Sequence, residues 1–416
     1  MKVSAGIAFV CFLFLIPFSN AAVELSFGVL LVMWLLGWKR PFSSEHLRDI
    51  PPPNKKIFML LGLYVAVCAV SVVTSSFLRI SLTGFIGKTL EHALLFMIAA
   101  DLVDQPNVSR RAVRALLTAG GLIVLYGLLQ EWTIHKAVYK SMAADPIRRH
   151  LILDYVRMVG PYRNPNDLAT FLMFSGLIAM GWLLRPAASR TSPALVILTA
   201  LLTGCLIWTR SLGALLGFFG GLAVLAIIHR KRKKLLLGLG GLAAASGAMF
   251  FIFSPESFQK ILTFSDVAAK DRASMWTTAW AMISDRPVWG HGLNTFMANY
   301  ARYAVDAGRN PAYAHNCFLQ ITAETGSVGL IAFLLFLAGL GKLIVNALNS
   351  RAGLPGPEEP VLRAALEGIG AALLAFLIQS TFDTNLYALR QAILFWTWAG
   401  AAVGISARLL RLKTNP

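Results

Sequence analysis

Arg210, Arg272 and His315 are the residues of this sequence whose chemistry stands out first. An arginine binds phosphate oxygens through two parallel N–H donors and never loses its charge. An imidazole takes up a proton near neutrality. Together the three suit a reaction with a hydroxyl nucleophile and a phosphate leaving group. Singly they are ordinary: a loop arginine is commonly solvated or salt-bridged, and a histidine at a helix start is commonly structural. His291 is a rival base, set between Gly290 and Gly292 in a turn that begins at Pro287; its plainer reading is an exposed turn histidine. Cys317 reads either as a nucleophile beside His315 or as a small residue on a buried helix face. Arg163, Asn164, Pro165, Asn166 and Asp167 open an apolar run, where Asn or Asp is an ordinary helix cap. The four cysteines, Cys11, Cys68, Cys205 and Cys317, have neither metal-ligand spacing nor the pattern of a disulfide framework. No metal and no cofactor is expected.

The elements that position these groups are membrane helices. The chain of 416 residues is 56% hydrophobic and 14% charged, and its mean hydropathy is +0.64. A soluble domain of this size has no use for so much apolar surface. Alternating strand patterns are absent, which argues against a barrel. The expectation is an all-α polytopic membrane protein with about twelve spans. They fall near 4–18, 21–38, 57–74, 82–101, 112–132, 165–184, 193–209, 211–228, 235–253, 318–345, 361–382 and 389–408. Residues 1–22 imitate a signal peptide but read better as a first membrane helix. Three regions follow: helices 1–9 in 1–253, a polar helical outer stretch in 254–317, and helices 10–12 in 318–416.

Charge sets direction. With the N-terminus inside, every inner loop carries at least two basic residues, and both termini lie inside. The net charge of +18 reads as this orientation bias or as the mark of an anionic partner. Basic residues spread over short loops argue against nucleic acid. The outer side is also basic, with Lys136, Lys140, Arg148, Arg149, Arg157 and Arg163 in one loop and Lys260, Lys270, Arg272, Arg286, Arg302 and Arg309 in the next. Nearby acids pair with some; the excess points to an anionic ligand on that face. In the outer stretch, 272–284 fits an amphipathic helix with Met275, Trp276, Ala279, Trp280 and Ile283 on one stripe, and 293–305 reads as helical again. In the fourth span, Lys88, Glu91 and His92 share a helix face at i, i+3 and i+4, which suits a transporter or a buried structural ion pair.

These residues resemble the O-antigen ligase and polymerase superfamily of bacterial envelope enzymes. His315-Asn316, nine residues, then Gly326, Ser327, Val328 and Gly329 match the pattern of its last outer loop. Upstream, Arg272, Trp276, Pro287, Gly290, Gly292 and Phe296 follow its arginine–tryptophan helix and Pro-x-x-Gly-x-Gly turn. Gly160 to Asn166 is similar to its Gly-x-Phe-x-Asn-Pro-Asn start of a span, with Tyr162 for Phe. Trp208 to Gly213 is similar to its Ser-Arg-Gly segment, with Ser211 after Arg210 rather than before it. The resemblance implies a metal-independent, inverting glycosyltransferase on the periplasmic face of the bacterial inner membrane. It implies an O-antigen ligase: the donor is a glycan on undecaprenyl pyrophosphate, the acceptor a sugar hydroxyl of lipid A core. His315 would be the general base and Arg272 and Arg210 would stabilise the pyrophosphate. Arg163, Asn164, Asn166, Asn316 and Trp276 would bind substrate. Beyond substrates and lipid bilayer, no protein partner is inferable. A polymerase of the same superfamily is the alternative, since the motifs are shared; an anionic-lipid transporter is the alternative from another class.

Overall fold

Hydrocarbon offers no hydrogen-bond partners, so apolar runs become helices that satisfy their own backbone. The computed structural model describes residues 2–37, 52–105, 107–141, 157–185, 192–229, 241, 267–304, 313–350 and 358–414. Its helices are α1 (Lys2–Leu15), α2 (Asn20–Gly37), α3 (Pro52–Val73), α4 (Leu78–Gly84), α5 (Glu91–Val103), α6 (Val108–Ser141), α7 (Pro165–Leu183), α8 (Pro193–Trp208) and α9 (Leu212–Ile228). They continue with α10 (Val267–Asp285), α11 (Phe296–Tyr303), α12 (Cys317–Asn349), α13 (Glu358–Gln379) and α14 (Leu389–Thr414). A π-helical turn, Phe85–Leu90, joins α4 to α5. No strand occurs among the described residues.

Six of these helices, α3, α6, α7, α12, α13 and α14, are long and apolar enough to cross a membrane. α1, α2, α8 and α9 are apolar but shorter. The span expected at 82–101 is split into α4, the π turn and α5. The span expected at 235–253, and the start of the outer stretch to 266, lie outside the described residues. α6 runs past the expected end at 132 to Ser141; at 1.5 Å per residue it is about 51 Å long, more than the ~30 Å of a bilayer's hydrocarbon.

Inside the bundle α9 and α7 pack along α13, α14 along α5, and α12 along α3. Lipid tails are as apolar as leucine, so helices bind one another through close packing. Gly217 and Gly221, one turn apart on α9, show how: a Cβ on either would press into the carbonyl oxygens of Ala375 and Ala371 on α13. The two ends of the bundle differ. At one, Arg363 bonds Glu359 and the Leu348 and Ser350 carbonyls, His229 meets Glu367 at 2.9 Å, Arg408 reaches Glu358 and Arg411 reaches Asp104. At the other sit α10, α11 and the junctions that carry Arg210 and His315.

α10 and α11 depart from expectation in detail. α10 begins at Val267 rather than 272, and α11 is confined to Phe296–Tyr303 because Asn294 turns the chain at φ +61. The buried stripe of α10 is Thr278, Ala279, Met282 and Ile283; Trp280 is 58% exposed. The small residues Ala314 and Ala323 admit Ala279 and Met282 into a common cluster, which rotates the buried face away from Trp280.

Candidate active site

α12 is broken at Gly326, whose φ of +69 and ψ of −176 belong almost only to glycine. The break exposes backbone groups that a continuous helix would pair internally, and the turn from Pro287 fills it. His291 N–H donates to the Ala323 carbonyl at 3.0 Å and Gly292 N–H to that of Glu324 at 2.8 Å. In return Ser327 N–H donates to the Pro287 carbonyl at 2.8 Å and Val328 N–H to that of Val288 at 3.4 Å. A Cβ on Gly326 would collide with the Val288 carbonyl. The Pro-x-x-Gly-x-Gly turn and the glycine end of the histidine motif are therefore two halves of one backbone junction.

That junction sets up the segment before α12. Asn316 is the N-cap, its Oδ1 accepting from Phe318 and Leu319 N–H at 3.0 and 3.1 Å. His315 precedes it at φ +50, a left-handed conformation uncommon for a side-chain-bearing residue. Its flanks are pinned: Ala314 N–H donates to Gln320 Oε1 at 3.1 Å, and Cys317 N–H to the Ser380 carbonyl at 2.8 Å. The ring is partly exposed, and Nδ1 faces Asp383 Oδ1 at 3.7 Å with no hydrogen-bond partner among the described residues. Asp383 is itself held by Thr384 N–H at 2.8 Å. A histidine with a carboxylate near one nitrogen and solvent access at its edge can accept a proton from a bound hydroxyl.

Arg210 lies between α8 and α9, also left-handed, at φ +55. A run of polar contacts links its junction to that of His315. Arg157 donates from Nε to the Thr209 carbonyl at 2.7 Å and from Nη2 to Asn166 Oδ1 at 3.0 Å. Gln379 Nε2 donates to Thr170 Oγ1 at 2.8 Å and reaches the Asn166 carbonyl at 3.5 Å. Ser380, next in sequence, accepts from Cys317 N–H. Arg210, Asn166 and His315 thus stand at one end of the bundle.

Arg272 and Trp276 are carried by α10, whose Ala279 clusters with Ala314 beside His315. Arg272 is seven residues earlier, about 10 Å along the helix. The Trp276 indole N–H is buried with no acceptor among the described residues. Arg163 is exposed, and Asn164 caps α7 by accepting from Asn166 N–H at 2.9 Å. His291 is not the exposed turn histidine that its glycine neighbours suggest. It is buried, with Nε2 on the Met282 carbonyl at 3.0 Å and Tyr303 against its ring, and burial lowers its pKa. Cys317 is buried too, its Sγ 3.3 Å from the Asp383 carbonyl and from Asn385 Oδ1, which fits the reading of a small residue on a buried helix face.

Lys88 and Glu91 do not form the pair that i, i+3 spacing suggests. Lys88 lies in the π turn, where the helix period is wider, and it lines one cavity with His92 while making no ion pair with Glu91 among the described residues. Its Nζ donates to Asn294 Oδ1 at 2.8 Å and faces the rings of Tyr387 and Tyr313 at 5.4 and 5.7 Å. His92 instead stacks on Trp396 with ring centroids 6.2 Å apart.

Three residues around the site were not singled out in sequence: Asp383, Arg157 and Glu324. Asp383 had a signal, since Ser380 to Asn385 is a polar run between two apolar spans. Arg157 was one outer arginine among several. Glu324 sits inside an apolar stretch and is identifiable only by its partners.

The fold is that of a polytopic helical membrane protein with His315 and Arg210 on neighbouring junctions at one end. Residues 196–334 match the family model described as O-antigen ligase, a segment that contains Arg210, Arg272 and His315. The chain is similar to the O-antigen ligase of Pseudomonas aeruginosa, 28% identical over 246 residues, covering 59% of this chain and 54% of that protein. It is similar to the teichuronic acid biosynthesis protein TuaE of Bacillus subtilis, 26% identical over 257 residues, 59% of this chain and 50% of that one. The chain spans about half the length of these curated relatives. A solved chain from work on a peptidoglycan synthase complex is 17% identical with a TM-score of 0.43, over 86% of this chain and 98% of that one, a likeness too distant to carry weight. The matches support the resemblance carried by the motifs: residues 196–334 match the O-antigen ligase model, and the similarity to curated O-antigen ligase and polysaccharide relatives points the same way.

Proposed function

We propose that the protein is an O-antigen ligase, moving a glycan from undecaprenyl pyrophosphate to a sugar hydroxyl of lipid A core. The observation that carries this is the placement of His315, with Asp383 behind it, at the same end of the bundle as Arg210, within a segment that matches the ligase family. In this reading His315 removes the acceptor hydroxyl's proton as that oxygen attacks the anomeric carbon. General base catalysis of this kind contributes roughly 10²–10⁴ in rate. The bond from the anomeric carbon to the pyrophosphate oxygen breaks, and Arg272 and Arg210 stabilise the charge that builds there, by about 3 kcal/mol for one well-placed donor. Arg163 helps to hold the phosphates, Trp276 and the asparagines 164, 166 and 316 line the substrate path, and no metal is needed. Direct displacement inverts the anomeric centre.

The same reading orients the molecule. The shorter apolar helices also span, giving about twelve spans with the 235–253 segment. The protein lies in the inner membrane with both termini cytoplasmic, and 254–317 forms a periplasmic helical subdomain. The test uses purified full-length protein in lipid, supplied with lipid-linked glycan and lipid A core. Glycan joined to core, with an inverted linkage and undiminished in the presence of a metal chelator, is the expected result. Lengthened lipid-linked glycan without a core product would make the protein a polymerase, and a trapped glycosyl-enzyme would rule out direct displacement.

A further inference from the structure

Resting on His315 as the base, we propose that Glu324 is a positioning residue for it. Glu324 is fully buried on α12, two residues before the break at Gly326. Four donors converge on its carboxylate: Asn294 N–H at 2.8 Å, Phe296 N–H at 3.3 Å, Gln320 Nε2 at 3.1 Å and the Tyr387 hydroxyl at 3.2 Å. Four donors on two oxygens fit an ionised carboxylate. A buried charge needs compensation, and Lys88 supplies it, its ammonium on the Asn294 side chain.

Two routes lead from this carboxylate to the flanks of His315. Gln320 donates to Glu324 and accepts from Ala314 N–H, the peptide just before the histidine. Tyr387 donates to Glu324 and its backbone N–H bonds the Thr384 carbonyl at 2.9 Å, within the loop that carries Asp383. Burial pushes the Tyr387 hydroxyl well above its ordinary pKa, so it stays a donor. His315 sits at φ +50, a region uncommon for any residue other than glycine, and its flanks hold it there. One carboxylate thereby sets both the histidine and the acid behind it. Lys88, offset by Glu324 and covered by two tyrosine rings, belongs to this assembly rather than to an anion site or an ion pathway.

The test compares purified full-length wild type with Glu324→Gln, Lys88→Met and the double variant, reading kcat, KM and thermal unfolding. Glutamine keeps the shape but turns an NH2 toward N–H donors. Lys88→Met alone leaves a carboxylate buried without its counter-charge and should unfold at lower temperature. The double variant should recover stability while kcat stays down about tenfold or more and KM moves less than about threefold. Should Glu324→Gln accumulate poorly, the double variant carries the comparison. Recovery of kcat together with stability overturns positioning, as does wild-type kcat in Glu324→Gln. His315→Ala measured alongside separates the two levels: full activity there removes the base assignment on which positioning rests.

Discussion

The Nδ1 of His315 faces a carboxylate at 3.7 Å, close enough to be steadied by Asp383 and loose enough to tighten when substrate binds. Asp383→Asn should lower kcat by at least about tenfold with little change in KM; an unchanged kcat would remove Asp383 from the site. His291 gives a second prediction. Burial lowers its pKa in the fold, so the folded state resists a proton that the unfolded chain accepts. Its stabilising contribution is complete above the unfolded value near 6.5 and is lost as pH falls through the folded value. The unfolding temperature should therefore drop as pH is lowered below about 6.5, and His291→Phe should flatten that slope; an unaltered slope would show that another group titrates. At this scale residue types were legible but their surroundings were not. His315, Arg210 and Arg272 stood out as candidates by residue type and motif, whereas the burial of His291 and Cys317 and the nearness of Asp383 to His315 depend on contacts between segments far apart in the chain.

α12 works as an element because it is broken. Gly326 interrupts it where the turn from Pro287 docks, and backbone hydrogen bonds tie the two together. Gly326→Ala would place a Cβ against the Val288 carbonyl in a conformation that costs about 1–3 kcal/mol before the collision is counted. Folded protein recovered in detergent should fall sharply; full recovery with normal transfer would mean the junction is dispensable. Apolar runs made the helices easy to place, and 193–208, 212–228 and 358–379 lie within a few residues of expectation. The π turn at Phe85–Leu90 was not legible, because a one-residue change in helix period leaves composition untouched. Lys88 lies within it and makes no ion pair with Glu91 among the described residues. The buried face of α10 was misjudged for a related reason: Trp280 is apolar, but Ala314, just before α12, and Ala323 on it draw in its neighbours instead.

Across the whole molecule, ion pairs of α13, α14 and the α5–α6 turn gather at one end, and the junctions with Arg210 and with His315 and Asp383 lie at the other. The proposed topology puts the first end in the cytoplasm and the second in the periplasm. A cysteine at Met297, an exposed position on α11, should then react with a membrane-impermeant maleimide in cells with a permeabilised outer membrane. One at Lys342 should react only once the inner membrane is opened; the reverse pattern would invert the topology. The central claim, that this is a ligase acting through His315, is tested most directly by lipopolysaccharide from a strain lacking its own copy of the protein and carrying wild type or His315→Ala at equal expression. The account predicts that His315→Ala leaves lipid A core without long glycan while the glycan accumulates on its lipid carrier. An unchanged ladder of core-linked glycan would contradict it.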